Sequence, residues 1–596
     1  MAPPFFMVKN MNYDEAIKYI HSFSRTKRPL SATQKLLEKL GSPEKKLRYV
    51  HVAGTNGKGS TSAMIESALR AAGYCTGLFT SPFVTRFNER IRVDGADIDD
   101  VSLAELVTEL QPVVEAESEP LSEFELVTVL GLTYFARRGC NIAVIECGLG
   151  GKNDFTNVIP SPDVCVFTAI GLDHTRVLGS TVTDIALEKA GIIKQGSVAV
   201  SFGNSDEAEG VISERCRIEG ARYRKTDMST LSILGSGMRS CLFSYDGLEN
   251  IRLPLAGAYQ PYNAANAITA LRALSDIGWL VSDEAIRDGL ERMSWRGRFE
   301  LLSSDPDIIL DGAHNPQACR ATVDSLLEKE GGKRLVFVAA VMADKDVDGI
   351  ITELMRASDS FVCVPLNYPR ALAKNELCDR LRKRGARAIA ADTVSAGVSI
   401  ARHLAGREGA VCCLGTLYFQ NEVRAAVEGF DMRELFSMDK RDYDESADWF
   451  VRPSVRAIIV RDGKILMVRS RSLGFCKFPG GGIEPGESHL EALAREVGEE
   501  SGCLIAPESV KPFGIVHRAQ RGQNDDVFLQ DNFYYTCETA GQCERALDDY
   551  EREEGFEPEW LSLDEAIKND AEYRGKYADM ILRERRVLEI IKKELF

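Results

Sequence analysis

Two runs of residues in this chain have the types and spacing to do phosphate chemistry, and they stand about 430 positions apart. The first is Gly54-Thr55-Asn56-Gly57-Lys58-Gly59-Ser60, followed by Thr61. Its glycines let backbone N–H groups close on phosphate oxygens, and a helix behind it would present its positive end to the same charge. Lys58 would counter the outer phosphates of ATP, and the hydroxyl of Ser60 or Thr61 could reach magnesium. The run departs from G-x-x-x-x-G-K-[ST], because Val52 takes the first glycine's place and Gly59 follows the lysine. The second run, Gly481 to Cys503, pairs a glycine turn with a helix crowded with carboxylates. Glu496, Glu499 and Glu500 fall at i, i+3 and i+4, so their side chains are expected to converge on one face. Three like charges there repel, a cost that makes sense if divalent metal neutralises them.

The elements that must position these residues follow from hydrophobic pattern. Leu47 to Ala53 reads as a buried strand and Thr61 to Ala72 as the helix behind the loop. Short apolar strands alternate with amphipathic helices up to about Ile193, which predicts a parallel sheet covered on both faces. Residues 11 to 46 read as helices broken near Pro29, residues 196 to 254 as polar and β-like, and Gln260 to Gly278 as a helix. A second alternating series starts after Trp295-Arg-Gly-Arg-Phe299. Residues 431–452 are charged and poorly periodic, and are expected to be a linker. Beyond them, Arg461-Asp-Gly463 suits a hairpin turn opening an α+β domain. The expected organisation is an α/β ATPase domain over 1–296, a second Rossmann-like α/β domain over 297–430, the linker, and an α+β domain over 453–596.

Composition limits what such a chain does. At 596 residues it exceeds a single core. Its formal charge of −16 argues against a nucleic-acid partner, which needs a basic surface. Small anionic substrates need only a local nest of N–H groups and a cation or two. The fifteen cysteines form no CxxC pair and lie mostly in apolar runs, as reduced thiols do in the cytoplasm. Met1 to Asn10 lacks the pattern of a signal peptide, and no apolar stretch is long enough to span a bilayer. A cytoplasmic monomer without membrane attachment is expected.

His51-Val-Ala-Gly-Thr-Asn-Gly-Lys-Gly-Ser-Thr61 resembles the ATP loop of folylpolyglutamate and dihydrofolate synthases, in the Mur ligase superfamily. Other motifs follow in that family's order: Thr80-Ser-Pro82 with Phe87-Asn-Glu-Arg-Ile91, Glu146-Cys-Gly-Leu-Gly-Gly151, Ile170-Gly-Leu-Asp-His174, Glu188-Lys-Ala-Gly191, Asp311-Gly-Ala-His-Asn-Pro316 and Asp344-Lys-Asp346. The resemblance implies a ligase that activates a carboxylate as an acyl phosphate, which the amine of L-glutamate then attacks. It implies two magnesium ions, one held by Ser81 and Glu146, the other by His174 and a carbamate on Lys189. Asn263 is implied near the adenine, and Arg298, Asp311 and His314 are implied in the ATP cleft. Ser122, Phe124, Glu125 and Lys152 resemble a segment that helps bind dihydropteroate. Lys152 stands where bacterial enzymes with both activities carry arginine, and Phe83 replaces a common histidine. The acid is therefore left open between a tetrahydrofolate and dihydropteroate, with a non-folate acid as the alternative.

Gly481, five residues, Glu487, seven residues, then Arg495-Glu-Val-Gly-Glu-Glu-Ser-Gly-Cys503 resembles the Nudix box in full. That implies magnesium, one ion or more, held on a diphosphate by Glu487, Glu496, Glu499 and Glu500, with Arg495 orienting the cluster. The substrate would be a nucleoside or pterin diphosphate derivative. A nucleotide-sensing module is the alternative. Asn524-Asp-Asp526, Gln530-Asp-Asn532 and Glu551 to Glu554 are further candidates for substrate or metal contact.

Overall fold

The computed structural model describes residues 10–23, 28–484, 486–524 and 526–595. Residues 1–9 and Asp525 of the Asn524-Asp-Asp526 run lie outside the described residues.

The first domain is built on an eight-stranded sheet. At its centre Arg48–Ala53 pairs in parallel with Ile142–Glu146 on one side and Val164–Phe167 on the other. Both neighbours are wholly buried, which is why these strands read as unbroken apolar runs. Central position matters because the carboxyl ends of these three strands carry the phosphate loop, Glu146, and the Ile170-to-His174 turn. The loop runs into the helix Lys58–Ala71, whose first-turn N–H groups have no partner inside the helix. Gly57 turns the corner at φ +86°, and a Cβ on it would meet Asn263 Oδ1 at 2.6 Å. A three-stranded ribbon, Ser232–Ser236, Cys241–Tyr245 and Leu248–Leu253, packs beside the domain.

The second domain is a six-stranded sheet, parallel except for the edge strand Glu300–Ser303. It is the Rossmann-like unit expected from the sequence. The third domain folds as mixed sheets around the helix His489–Ser501. Its first hairpin turns at Asp462 and Gly463, both with positive φ, as the Asp-Gly pair predicts.

Two expectations are corrected. Residues 206–219 are a helix rather than β-like. That helix is polar along most of its length, and its acidic first turn suits a helix N-terminus. Residues 431–452 are not a free linker. Glu434–Asp439 pairs in parallel with Lys511–Arg521, and Trp449–Val451 with Val527–Thr536, so the segment builds two strands of the third domain's sheet. These strands are only half-buried, which leaves them without a clean alternation, and the charged run between them turns the chain. The second and third domains share a continuous apolar core. Phe430 stacks on Phe533 at 5.9 Å, and the buried Arg402 lies over Phe430 while reaching Asp531 at 3.6 Å.

The phosphate-loop helix is braced by the helix Asp283–Arg292. Ser67 Oγ donates to Gly289 O at 2.7 Å, and a Cβ on Gly289 would overlap the backbone of Ala68. In an ordinary helix Gly→Ala stabilises by about 1 kcal/mol. Here overpacking of about 1–3 kcal/mol exceeds it. Gly289→Ala is expected to lower the stability of the first domain and weaken nucleotide binding, read by thermal unfolding with and without ADP. An unchanged or raised melting temperature contradicts that packing.

Candidate functional site

The phosphate loop is fixed by its neighbours. Thr55 N and Asn56 N donate to Ala169 O at 2.8 and 3.1 Å, and Thr55 Oγ1 bonds both polar groups of Gly171. Gly54 lies so close to Thr168 that no Cβ fits there. Lys58 Nζ donates to Thr55 O at 3.2 Å. Ser60 is buried and accepts from Gln260 Nε2 at 3.5 Å, while Thr61 Oγ1 is buried without a hydrogen-bond partner. Asn263 stands against the loop through Gly57, and its Nδ2 donates to Gln260 Oε1 at 3.1 Å.

Beside the loop, Glu146 Oε2 accepts from Ser81 N at 3.1 Å and lies 3.5 Å from where a Cβ of Gly59 would stand. Burial raises the Glu146 carboxyl, and Lys58 and Arg298 pull it down. Lys189, in isolation a surface helix cation, is buried behind the loop and donates to Gly54 O at 2.7 Å. Burial, helped by Lys58, lowers its ammonium to about 7. Such an amine is partly neutral near physiological pH, the state that reacts with carbon dioxide.

The second domain closes the cleft. His174 sits at φ +49°, a conformation uncommon outside glycine. Lys345 Nζ lies 2.7 Å from Asp173 Oδ1 and 3.2 Å from His174 Nε2. His314 Nε2 is 3.7 Å from Asp173, and Asn315 Nδ2 donates to both Asp173 and Asn56. Burial would raise the Asp173 carboxyl, yet Lys345, His174 and His314 together hold it well below the usual range. Burial lowers His314 to about 4, with Lys345 adding to the effect. Asp311 accepts from Tyr259, Phe299 N, Ala313 N and Thr322, so it fixes the domain junction. Arg298 donates to Gly297 O beside Gly312.

The expected acid-binding segment lies at the start of the helix Glu123–Arg137. Ser122 and Glu125 cap the helix Glu123–Arg137 reciprocally, and the fully buried Glu125 also accepts from Thr33 Oγ1 at 2.7 Å. Phe124 packs under Gly148, where a Cβ would meet its ring at 2.5 Å. Lys152 is exposed. Arg90, quoted in the sequence only within its motif, has Nε and Nη1 buried without hydrogen-bond partners, although Nη1 lies 3.9 Å from Glu123. Its guanidinium lies over Phe83 and Phe87 and faces Tyr368 and Tyr418, which stack at 4.4 Å. Asp173 and Lys345 were quoted within motifs, and no local signal joined them.

In the third domain Arg495 binds Glu487 through two contacts of 2.8 Å, Glu496 at 2.8 Å and Glu499 at 3.3 Å. Arg495 also donates to Gly482 O at 3.0 Å. These bonds lower Glu487, whereas burial raises Glu496. Of the three carboxylates expected on one face, Glu500 is the most deeply buried. Its Oε1 accepts from Lys477 Nζ at 2.7 Å and its Oε2 from Gly480 N at 2.9 Å. Burial pushes its carboxyl up to about 7 against the pull of Lys477 and Arg456. Asn532 and Gln530 are buried partners of Arg583, which accounts for them structurally.

Among the described residues, no three His, Cys, Asp or Glu side chains are arranged as they stand to hold a metal ion. The donor chemistry nonetheless fits a hard cation. In the first site Glu146 Oε2 takes the Ser81 backbone N–H, and the Thr61 hydroxyl of the loop's helix is buried without a hydrogen-bond partner. In the second, Glu496 fills the space a Cβ on Gly481 would need, so carboxylate and turn are built to meet.

Residues 52–271 match the family model of the Mur ligase middle domain, residues 297–417 that of the Mur ligase glutamate ligase domain, and residues 451–581 that of the NUDIX domain. The chain is 38% identical to the folylpolyglutamate synthase of Lacticaseibacillus casei over 376 residues, covering 61% of this chain and 87% of that one. It is 37% identical to the dihydrofolate synthase/folylpolyglutamate synthase of Bacillus subtilis over 380 residues, covering 62% and 88%. Mycobacterium tuberculosis folylpolyglutamate synthase complexed with ADP superposes with a TM-score of 0.65 at 29% identity, covering 69% and 97%. Escherichia coli FolC in complex with DHPP and ADP superposes with a TM-score of 0.64 at 30% identity, covering 70% and 98%. The chain belongs to the folylpolyglutamate synthase/dihydrofolate synthase family of Mur ligases and carries a Nudix domain after its ligase domains.

Proposed function

We propose that the ligase domains join L-glutamate to a folate acid at the expense of ATP, and that the Nudix domain cleaves a diphosphate linkage. The observation that carries the first reading is the meeting, across one cleft, of the phosphate loop with Lys58, Glu146 and Ser81 and of the Asp173–His174–His314–Lys345 cluster. A folate carboxylate oxygen attacks the γ-phosphorus and ADP leaves. The glutamate amine then attacks the acyl carbon, and phosphate departs with the C–O electron pair. Lys58 and the first-turn N–H groups bear on the charge that develops on the phosphoryl oxygens. Arg298 and Asp311 hold the second domain against the nucleotide, with Asn263 at the loop's rear. Magnesium, when bound, supplies positive charge to the phosphoryl oxygens in each site. Ser81, Glu146, His174 and carbamylated Lys189 would hold it in the ligase. Glu487, Glu496, Glu499 and Glu500 would hold it in the Nudix domain. Glu499 is the most solvent-open of these four and is best placed to take a proton from attacking water.

The relative solved with DHPP and ADP supports a pteroate-type acid, and the relative named folylpolyglutamate synthase supports a tetrahydrofolate. Arg90, over the Phe83 and Phe87 rings, would face such an aromatic acid. Partners are small molecules. All fifteen cysteines are free thiols, which supports a cytoplasmic setting. Among the described residues no helix is long and apolar enough to cross a membrane.

ATP-, magnesium- and glutamate-dependent ADP release is expected with tetrahydrofolate, dihydropteroate or both. Lys189→Ala should reduce it by about 100-fold or more, the scale of losing an electrostatic group. Labelled bicarbonate should give a carbamate carbon signal in the wild type that Lys189→Ala lacks. Silence with both acids from protein that still binds ATP would move the assignment to another Mur-type acid. For the Nudix domain, magnesium-dependent cleavage is expected of at least one member of a panel, read as nucleoside monophosphate from nucleoside diphosphate derivatives or as pyrophosphate from dihydroneopterin triphosphate. Glu499→Gln should abolish it. Binding without turnover across the panel would instead favour a nucleotide-sensing module.

A further inference from the structure

One end of the Nudix sheet carries two aromatic rings that lie outside the box. Phe450, on the strand Trp449–Val451, is the register partner of Phe528 on Val527–Thr536, and their ring centres are 5.9 Å apart. Phe450 is 53% exposed. A lone exposed ring is ordinary on a protein surface, but this one sits on an anchored strand and among polar groups of one kind. Trp449, on the opposite face, packs edge-on against Tyr443 and against His403 of the second domain's helix Val394–Ala405. The Arg518 guanidinium lies 5.4 Å from the centre of the Phe528 ring, and its Nε and Nη2 both donate to Gln520 Oε1, at 3.3 and 3.0 Å. A guanidinium has no acceptor, so this contact fixes the Gln520 amide and leaves the two N–H bonds of Nε2 for another acceptor. Gln520 is the register partner of Phe528, so rings and donors share one face. That face leads to the box. Ser454 and Arg456 pair with Asn532 and Tyr534 in the same register, so Phe450, Arg452, Ser454 and Arg456 share it too. Arg452 follows Phe450 by about 7 Å along the strand. Its Nε stands 3.5 Å from where a Cβ of Gly482 would lie, and Gly482 O is the carbonyl that Arg495 holds.

We propose that Phe450, Phe528, Arg518 and Gln520 form the platform for the heterocycle of the Nudix substrate, and that this heterocycle is a ring-oxo one, a 6-oxopurine or a 4-oxopterin. The proposal rests on the diphosphate-cleaving reading of the domain. Stacking on Phe450 suits any planar base and selects none. Selection comes from the donors beside it. A 6-oxopurine presents two neighbouring acceptors, O6 and N7, and a 4-oxopterin presents O4 and N5 in the same relation. A 6-aminopurine sets an N–H donor where Gln520 and Arg518 also donate, so neither side is satisfied. Arg452, standing between the platform and the box turn, gives the phosphate chain a cation on its way to the box. The order along the strand, ring then cation then box, is the order of heterocycle, linker and diphosphate in such a substrate. The second domain backs the platform through Trp449, so the ligase part of the chain holds the Nudix strand that selects the ring.

The test is calorimetric titration of the intact chain with α,β-methylene guanosine diphosphate, its adenosine counterpart, and dihydroneopterin triphosphate as competitor. Phe450→Ala should weaken the guanosine analogue, the pterin or both by roughly 10- to 100-fold, the scale of losing a base-stacking ring. Gln520→Glu should weaken the same ligands, since it replaces an N–H donor by an acceptor. The adenosine analogue, which the ligase cleft also takes, should bind wild type and both variants alike. Phe450→Ala should keep the wild-type melting temperature and ligase turnover, which shows that the loss is local. Which of the two oxo ligands depends on Phe450 tells purine from pterin. No binding of either by the wild type, or equal binding by wild type and Phe450→Ala, would overturn the proposal. An adenosine analogue that loses as much affinity in Phe450→Ala would overturn the ring-oxo assignment. Binding that needs Phe450, in a chain that cleaves no diphosphate, would defeat the hydrolytic reading and leave the platform standing. Cleavage with the same KM in wild type and Phe450→Ala would do the reverse.

Discussion

A site built to neutralise phosphate has to keep its own charges neutralised until phosphate arrives. Bare carboxylates and ammonium groups at a half-buried cleft are costly, because burial penalises the charged form and like charges add to the penalty. Each site in this chain meets that constraint by pairing its charges with one another. Lys345 sits between Asp173 and His174, Glu146 receives the Ser81 N–H, Arg495 gathers Glu487, Glu496 and Glu499, and Lys477 joins Glu500 to Glu551. The pairs differ in how open they are. Glu499 is 39% exposed and Glu500 only 3%, so the first can turn toward an incoming cation at little cost.

Positioning those pairs is the work of the folds. The parallel sheet of the first domain brings the carboxyl ends of three neighbouring strands to one edge, and that edge carries the phosphate loop, Glu146 and Asp173 with His174. The second domain must then approach from outside with Asp311, His314 and Lys345, and Asn56 and Asn315 hydrogen-bond across the gap. Behind it, the helix Val394–Ala405 carries Arg402 into the Nudix domain, where it meets His517 and Asp531. Those contacts join the second and third domains through packed side chains rather than through a tether alone.

The legible part of this protein was the part whose chemistry is contiguous in sequence. The loop Gly54 to Ser60 and the box Gly481 to Cys503 each place their key atoms within one strand–turn–helix unit, so spacing alone locates them. The domain-level alternation was equally plain, because buried parallel strands are apolar throughout. What remained hidden was pairing across distance. Lys345 and Asp173 are 172 residues apart, and Lys477 and Glu551 are 74 apart, with no periodicity to join them. Glu434–Asp439 and Trp449–Val451 were hidden for a different reason. They are strands whose stability comes from hydrogen bonds to partners far along the chain, while their own side chains remain half in solvent.

Charge held in reserve is the claim on which this picture stands, and the most direct measurement is a crystal structure of the intact chain grown with ADP and Mn2+, with manganese located by anomalous scattering. The expected result is manganese beside Glu146 and Ser81 and among Glu487, Glu496, Glu499 and Glu500, with Arg495 swung away from those carboxylates. Manganese absent from both places, or Arg495 still bridging Glu487, Glu496 and Glu499 in the loaded protein, would contradict it.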